Sequence, residues 1–136
     1  MSIKIAASGP FLDVLVTDVL AEADLPALFS AMETARRKGP FVVLTDTLAM
    51  KSAPRPVIMA FIGGLKQLPS MKDTWLGDAV VVRSPLTRFV VSTLIMAAPL
   101  PTDVQVFEKR DRAELWCALI LMKAGVSIPA PLKKYA

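Results

Sequence analysis

The chain has no histidine in its 136 residues. It therefore lacks the one side chain whose ordinary pKa lies between pH 5 and 8, and with it the most frequent general base and metal ligand. Cysteine occurs once, as Cys117. A lone thiol forms no internal disulfide, which fits a reducing, cytoplasmic setting. It follows Trp116 in an apolar helical stretch, where a thiol packs rather than attacks. There is no glycine-rich loop between a strand and a helix to cradle a phosphate, because Gly63-Gly64 falls inside a helical pattern. No apolar run approaches the ~20 residues that span a bilayer; the longest are broken by Gly63-Gly64, Thr93 or Pro99. The opening MSIKIAAS lacks the long apolar region of a signal peptide. Aromatic residues are few and are not interleaved with the basic groups Arg36-Arg37-Lys38, Lys109-Arg110 with Arg112, and Lys133-Lys134. The net charge of +4 is thus read as helix ends and a solvated tail, not as a nucleic-acid surface. These absences argue for a protein that is not an enzyme and holds no metal or cofactor.

Apolar residues are present in excess, at 54% of the chain, with a mean hydropathy of +0.51. Without a membrane span, that surface must enter the core, a homodimer interface or a ligand pocket. The length suits one domain, taken as 1–127 with a Pro-rich, partly mobile tail at 128–136. The centre is the unbroken run Phe41-Val42-Val43-Leu44, the signature of a strand covered on both faces. Before it, 3–7 and 12–17 read as strands joined by the turn Ser8-Gly9-Pro10. In the second, Leu12, Val14 and Val16 alternate with Asp13, Leu15 and Thr17, as in a partly exposed strand. Asp24 is the expected N-cap of a first helix that carries Leu25, Leu28, Phe29 and Met32 and ends at Gly39. A second helix is expected at 56–68, apolar almost all round, where Gly63-Gly64 permits close approach or a kink. A loop at 69–77 carries Trp75, and 78–83 is a further strand. Ser84-Pro85 opens a third helix with Phe89, Val90, Leu94 and Ile95 on its core face. A last strand at 104–107 precedes a helix that opens on Asp111-Arg-Ala-Glu114, with capping-box spacing, and carries Leu115, Trp116, Leu119, Ile120 and Met122. The order β-β-α-β-α-β-α-β-α predicts an α/β fold with a mostly parallel sheet, one antiparallel edge strand and four helices.

Three stretches carry a family resemblance: PFVVLTD at 40–46, VVVRSPLTR at 80–88 and VQVFEKRDRAELW at 104–116. With the element order, they resemble the STAS fold of bacterial anti-sigma-factor antagonists, in particular its SpoIIAA-like, STAS/Sec14-related branch. The resemblance implies a non-enzymatic signalling or regulatory module with a protein partner. It also implies a phosphorylatable serine just after the central strand. The usual Asp-Ser-Ser-Gly is absent there, and Ser52 is the only serine in the matching segment.

Three candidate sites follow. The first is an interaction or regulatory loop after the central strand, with Thr45, Asp46, Thr47, Lys51, Ser52 and Arg55. The second is a sheet-edge cluster of Asp46, Ser84 and Lys109, which follow three successive strands in the order that receiver domains use for phosphoryl transfer. The acidic pair that would hold Mg²⁺ is missing, and Ser84 is explained as a helix cap. The third is an apolar pocket for a small molecule or lipid, lined by the 56–68 helix and LIMAAPL from Leu94.

Overall fold

The computed structural model describes residues 2–83 and 100–136. The expected third helix, Ser84 and LIMAAPL up to Pro99 lie outside the described residues; Leu100, the last residue of that stretch, is described and lines the cavity between the sheet and the helices. Strands β1 (Ile3–Ser8), β2 (Phe11–Val19), β3 (Phe41–Ser52), β4 (Trp75–Val81) and β5 (Val104–Phe107) form one sheet in the order β1-β2-β3-β4-β5. The β1/β2 pair is antiparallel and the other pairs are parallel. The expected mixed sheet with one antiparallel edge strand is what forms. Ser8 pairs with Phe11 across Gly9-Pro10, and Gly9 has φ +56. A two-residue hairpin with glycine first requires that left-handed conformation.

Helices α1 (Leu25–Lys38), α2 (Arg55–Gln67) and α3 (Arg110–Lys123) complete the main architecture. β2, β3 and β4 step across the sheet in one direction. Right-handed crossovers then place the helices between them, α1 and α2, on a single face. There Met32 and Ala35 of α1 pack with Leu12, Val14, Phe41, Val43 and Trp75, and Leu65 of α2 joins them. Phe29 and Phe61 stack at 5.9 Å between the two helices. Among the described helices, α3, after the last strand, covers the opposite face. Its Ala113, Cys117, Ala118 and Leu121 meet Phe11, Val42, Leu44, Ala79 and Val81. β3 thus has helices on both faces and a parallel neighbour on each side, which explains its unbroken apolar run.

Several expectations need correction. β3 runs to Ser52, because Thr17, Asp18 and Val19 of β2 pair with Ala49, Met50 and Ser52; the stretch after Leu44 is mostly strand, not loop. Trp75 opens β4 rather than lying in a loop. Asp24 makes no cap bond to α1; it accepts from the Ala21 amide and the Ser2 hydroxyl, closing the preceding 3-10 turn. α3 begins with Lys109 as N-cap and has no capping box, since Glu114 turns to Arg110 and Tyr135. Residues 130–135 form a 3-10 helix whose Leu132 is fully buried under α3, so the tail is part of the core.

α3 buries the side that carries Ala113, Cys117, Ala118 and Leu121. Of the apolar residues named for this helix, Leu115, Leu119 and Met122 are 38%, 50% and 39% exposed. The buried side is built mainly from small residues. They let α3 settle close to the sheet at Gly77, where a Cβ would lie 2.7 Å from the Trp116 ring and 2.8 Å from Ile120. At Gly64 a Cβ would lie 2.4 Å from the Phe29 ring. Glycine there permits the close approach expected, of a ring rather than a backbone.

Candidate functional site

Alternation along β3 separates the residues grouped after the central strand. Thr45 and Thr47 point to the α1/α2 face and Asp46 to the α3 face. Thr45 donates to Asp78 Oδ1 at 2.9 Å, and Thr47 donates to the Val81 carbonyl at 2.5 Å. Lys51 pairs with Asp18 at 3.4 Å, and both are exposed. Ser52 and Arg55 are exposed, at the end of β3 and the start of α2. The six residues therefore form no single surface.

On the α3 face, Asp46 is 5% exposed. One carboxylate oxygen accepts from the Leu48 amide at 3.0 Å and the other from Arg110 Nη1 at 3.0 Å. Arg110 also reaches Asp13 at 2.5 Å and Glu114 at 3.1 Å. Burial would lower the Arg110 pKa, but the hydrogen bonds it donates to Asp13 and Asp46 outweigh it and hold the guanidinium charged. Glu114 further accepts from the Tyr135 hydroxyl at 2.7 Å and pairs with Lys134 at 3.3 Å. Burial acts to raise its pKa, yet the bonds from Tyr135, Arg110 and Lys134 bring it below the usual glutamate value. This network ties β2, β3, α3 and the tail together. The basic residue that meets Asp46 is Arg110; Lys109 is exposed, and Ser84 lies outside the described residues. A buried carboxylate with both oxygens engaged is the reverse of an open phosphoryl acceptor. Among the described residues, no group of three or more His, Cys, Asp or Glu side chains is placed to hold a metal ion.

Cys117 is fully buried, and burial followed by nearby carboxylates raises its pKa far above that of a free thiol. It is inert by the same reasoning that makes exposed, electropositive cysteines reactive.

On the other face, a cavity of about 200 Å³ lies between the sheet, α1 and α2. Val14 and Val43 of the sheet, Leu28 and Met32 of α1, and Ile58 and Phe61 of α2 supply apolar wall. Thr45, Thr47 and Asp78 also line it. Asp78 is 7% exposed, and burial pushes its pKa up to about 7 despite the bond from Thr45. The 56–68 helix was expected to line such a pocket and does so through α2. Asp78, Asp13 and Tyr135 were not singled out as site residues from the sequence; Arg110 was read only within a basic group and Glu114 only as a capping residue. The available signal for Asp78 was an acidic residue opening the apolar run AVVV.

No protein-family model matches the chain, and no curated protein matches it. Solved structures do. An uncharacterised protein with a SpoIIAA-like fold from Shewanella loihica is 19% identical, with a TM-score of 0.62 over 85% of this chain and 91% of that one. The chain has a STAS-like fold. An anti-sigma factor antagonist from Mycobacterium paratuberculosis is 15% identical, with a TM-score of 0.53 over 85% of this chain and 92% of that one. At these identities the likeness is one of fold. In the STAS-like domain both the Arg110 network and the Asp78 cavity hang on β3, one on each face. Among the described residues, no helix is long and apolar enough to cross a membrane.

Proposed function

We propose that this chain is a non-catalytic signalling or regulatory module that works by binding a protein partner. The observation that carries this is the outward stripe of α3. Leu115, Leu119 and Met122 recur at helical spacing and remain exposed, while the opposite side of the same helix is locked into the core. An apolar stripe on a rigid helix suits helix-mediated docking. The fold similarity to an anti-sigma factor antagonist agrees with such a role. Self-association belongs to the same reading, with Met59 of α2 a further exposed apolar residue at 52%. Light scattering at micromolar concentration should give a dimer, and cross-linking in cells should capture a partner protein. L115E/L119E should abolish the capture while leaving the circular dichroism spectrum intact. Capture unchanged by that variant would remove α3 as the docking surface.

Ser52 adds a regulated variant of this reading. It is exposed, three positions before α2 begins at Arg55. A phosphate there would add about −1.5 to −2 charges near a helix start, where free amides favour an anion, with Lys51 and Arg55 beside it in sequence. Partner binding unchanged in both S52A and S52D, with no phosphate on the protein from its native cells, would dismiss the switch.

A second reading, binding of an apolar small molecule, is favoured by the cavity between α1, α2 and the sheet. Among the described residues its walls are apolar except for Thr45, Thr47 and Asp78, the balance usual for small-ligand sites.

A further inference from the structure

Asp78 is poorly explained as a packing residue. It lies within β4 between Gly77 and Ala79, with Val43 and Val104 opposite it on the neighbouring strands. A valine at this position would continue the apolar sheet. Instead a carboxyl group is buried with one hydrogen bond from a described residue, that of Thr45. Among the described residues, no Lys or Arg forms an ion pair with it. Asp46, the other acidic residue buried within the central strands, has Arg110. A buried acid without a cation costs stability, and such residues are concentrated at functional sites.

The chemistry around it indicates what would offset that cost. Among the described residues, three polar side chains line the cavity, and both hydroxyls spend their protons inside the protein: Thr45 on Asp78, Thr47 on the Val81 carbonyl. With Asp78 ionised, what these three leave to a ligand is acceptor capacity alone, the lone pairs of two hydroxyl oxygens and a carboxylate. An acceptor-only patch in an apolar cavity selects an N–H donor, and the carboxylate favours a cationic one. At about 200 Å³ the space exceeds the ~150 Å³ cavity known to hold benzene, so one ring with a short polar arm is of suitable size.

We propose that this cavity is a binding site for a small apolar amine, its hydrocarbon part against α1 and α2 and its ammonium group against Asp78 and Thr45. This rests on the second reading above. The test uses the full chain and three probes of nearly equal size: benzylamine, benzyl alcohol and toluene, titrated into ¹⁵N-labelled protein. Benzylamine should bind at least about tenfold more tightly than benzyl alcohol, with shifts at Val43, Thr45 and Asp78. D78N should erase that preference. D78V, which suits a strand between valines, serves the same purpose should D78N fail to fold. Toluene binding as tightly as benzylamine, or a preference that survives both variants, would overturn the role of Asp78 while leaving an apolar cavity. The absence of shifts with all three probes at millimolar concentration would overturn the cavity reading as well.

Discussion

Replacing Asp78 by Asn tests how far the fold itself carries the cost of this carboxyl group. An aspartate in the unfolded chain titrates near 3.8, whereas burial moves Asp78 to about 7. Below pH 3.8 it is protonated in both states and contributes no pH-dependent cost. Between 3.8 and about 7 the unfolded chain releases the proton while the folded chain keeps it, so rising pH favours unfolding. Above about 7 both states are ionised and the loss is complete. At ~1.4 kcal/mol for each pKa unit, the interval amounts to about 4 kcal/mol. Asn keeps an acceptor for Thr45 but does not titrate. Its amide leaves a pH-independent penalty of ~1–3 kcal/mol. Urea unfolding of both proteins at pH 4, 5, 6, 7 and 8 should therefore show the variant gaining on the wild type by about 4 kcal/mol across the series. Taking the difference cancels the acid sensitivity of the other carboxylates. Two profiles that run parallel from pH 4 to 8 would refute the reasoning, because Asp78 would then titrate alike in both states.

Other perturbations have equally definite outcomes. R110M leaves the buried Asp46 without its cation; with Arg110 itself 31% exposed, the loss should be about 3 kcal/mol by chemical denaturation, the low end for a broken buried pair. G77A forces a methyl group against Trp116 and Ile120 and should cost ~1–3 kcal/mol, with a change in tryptophan fluorescence as α3 is pushed outward. Cys117, fully buried with its pKa raised, should react with a thiol reagent only at the rate of unfolding, so that reaction in native buffer matching that of a free thiol would contradict the burial.

The sheet was legible because its signals are local. The run at 41–44 declared a doubly covered strand, Gly9-Pro10 declared the hairpin, and Gly39 and Gly125 marked helix ends with φ of +130 and +71. The apolar residues of α3 do not by themselves indicate which of its sides is buried. Its inward side uses alanine and cysteine, since what faces it across the sheet includes Gly77 and Ala79, and only the tertiary approach distance reveals that small residues are the better fit. The strand content after Leu44 was hidden because Thr45 to Ser52 is polar at intervals. Its partner is the polar end of β2, and strand pairing with a neighbour overrides composition. For the same reason Thr45, Asp46 and Thr47 looked like one cluster, whereas the pleat sends them to opposite faces. The Arg110 network joins residues 13 and 46 to residue 110, separations at which single-sequence reading has no pairing signal; its i,i+4 pair with Glu114 is the one part the sequence spacing carries.

The sequential strand order has a consequence for birth on the ribosome. Each strand pairs with the one that precedes it in the chain, so the sheet with α1 and α2 has its partners available as synthesis proceeds. The second face does not. Among the described residues, Phe11, Val42, Leu44, Ala79 and Val81 take their cover mainly from α3 and Leu132, which are synthesised after every strand of the sheet. A nascent chain stalled before residue 110 would therefore present a bare, half-finished core. That is the form of this protein most exposed to aggregation, and the one in which a chaperone would find it.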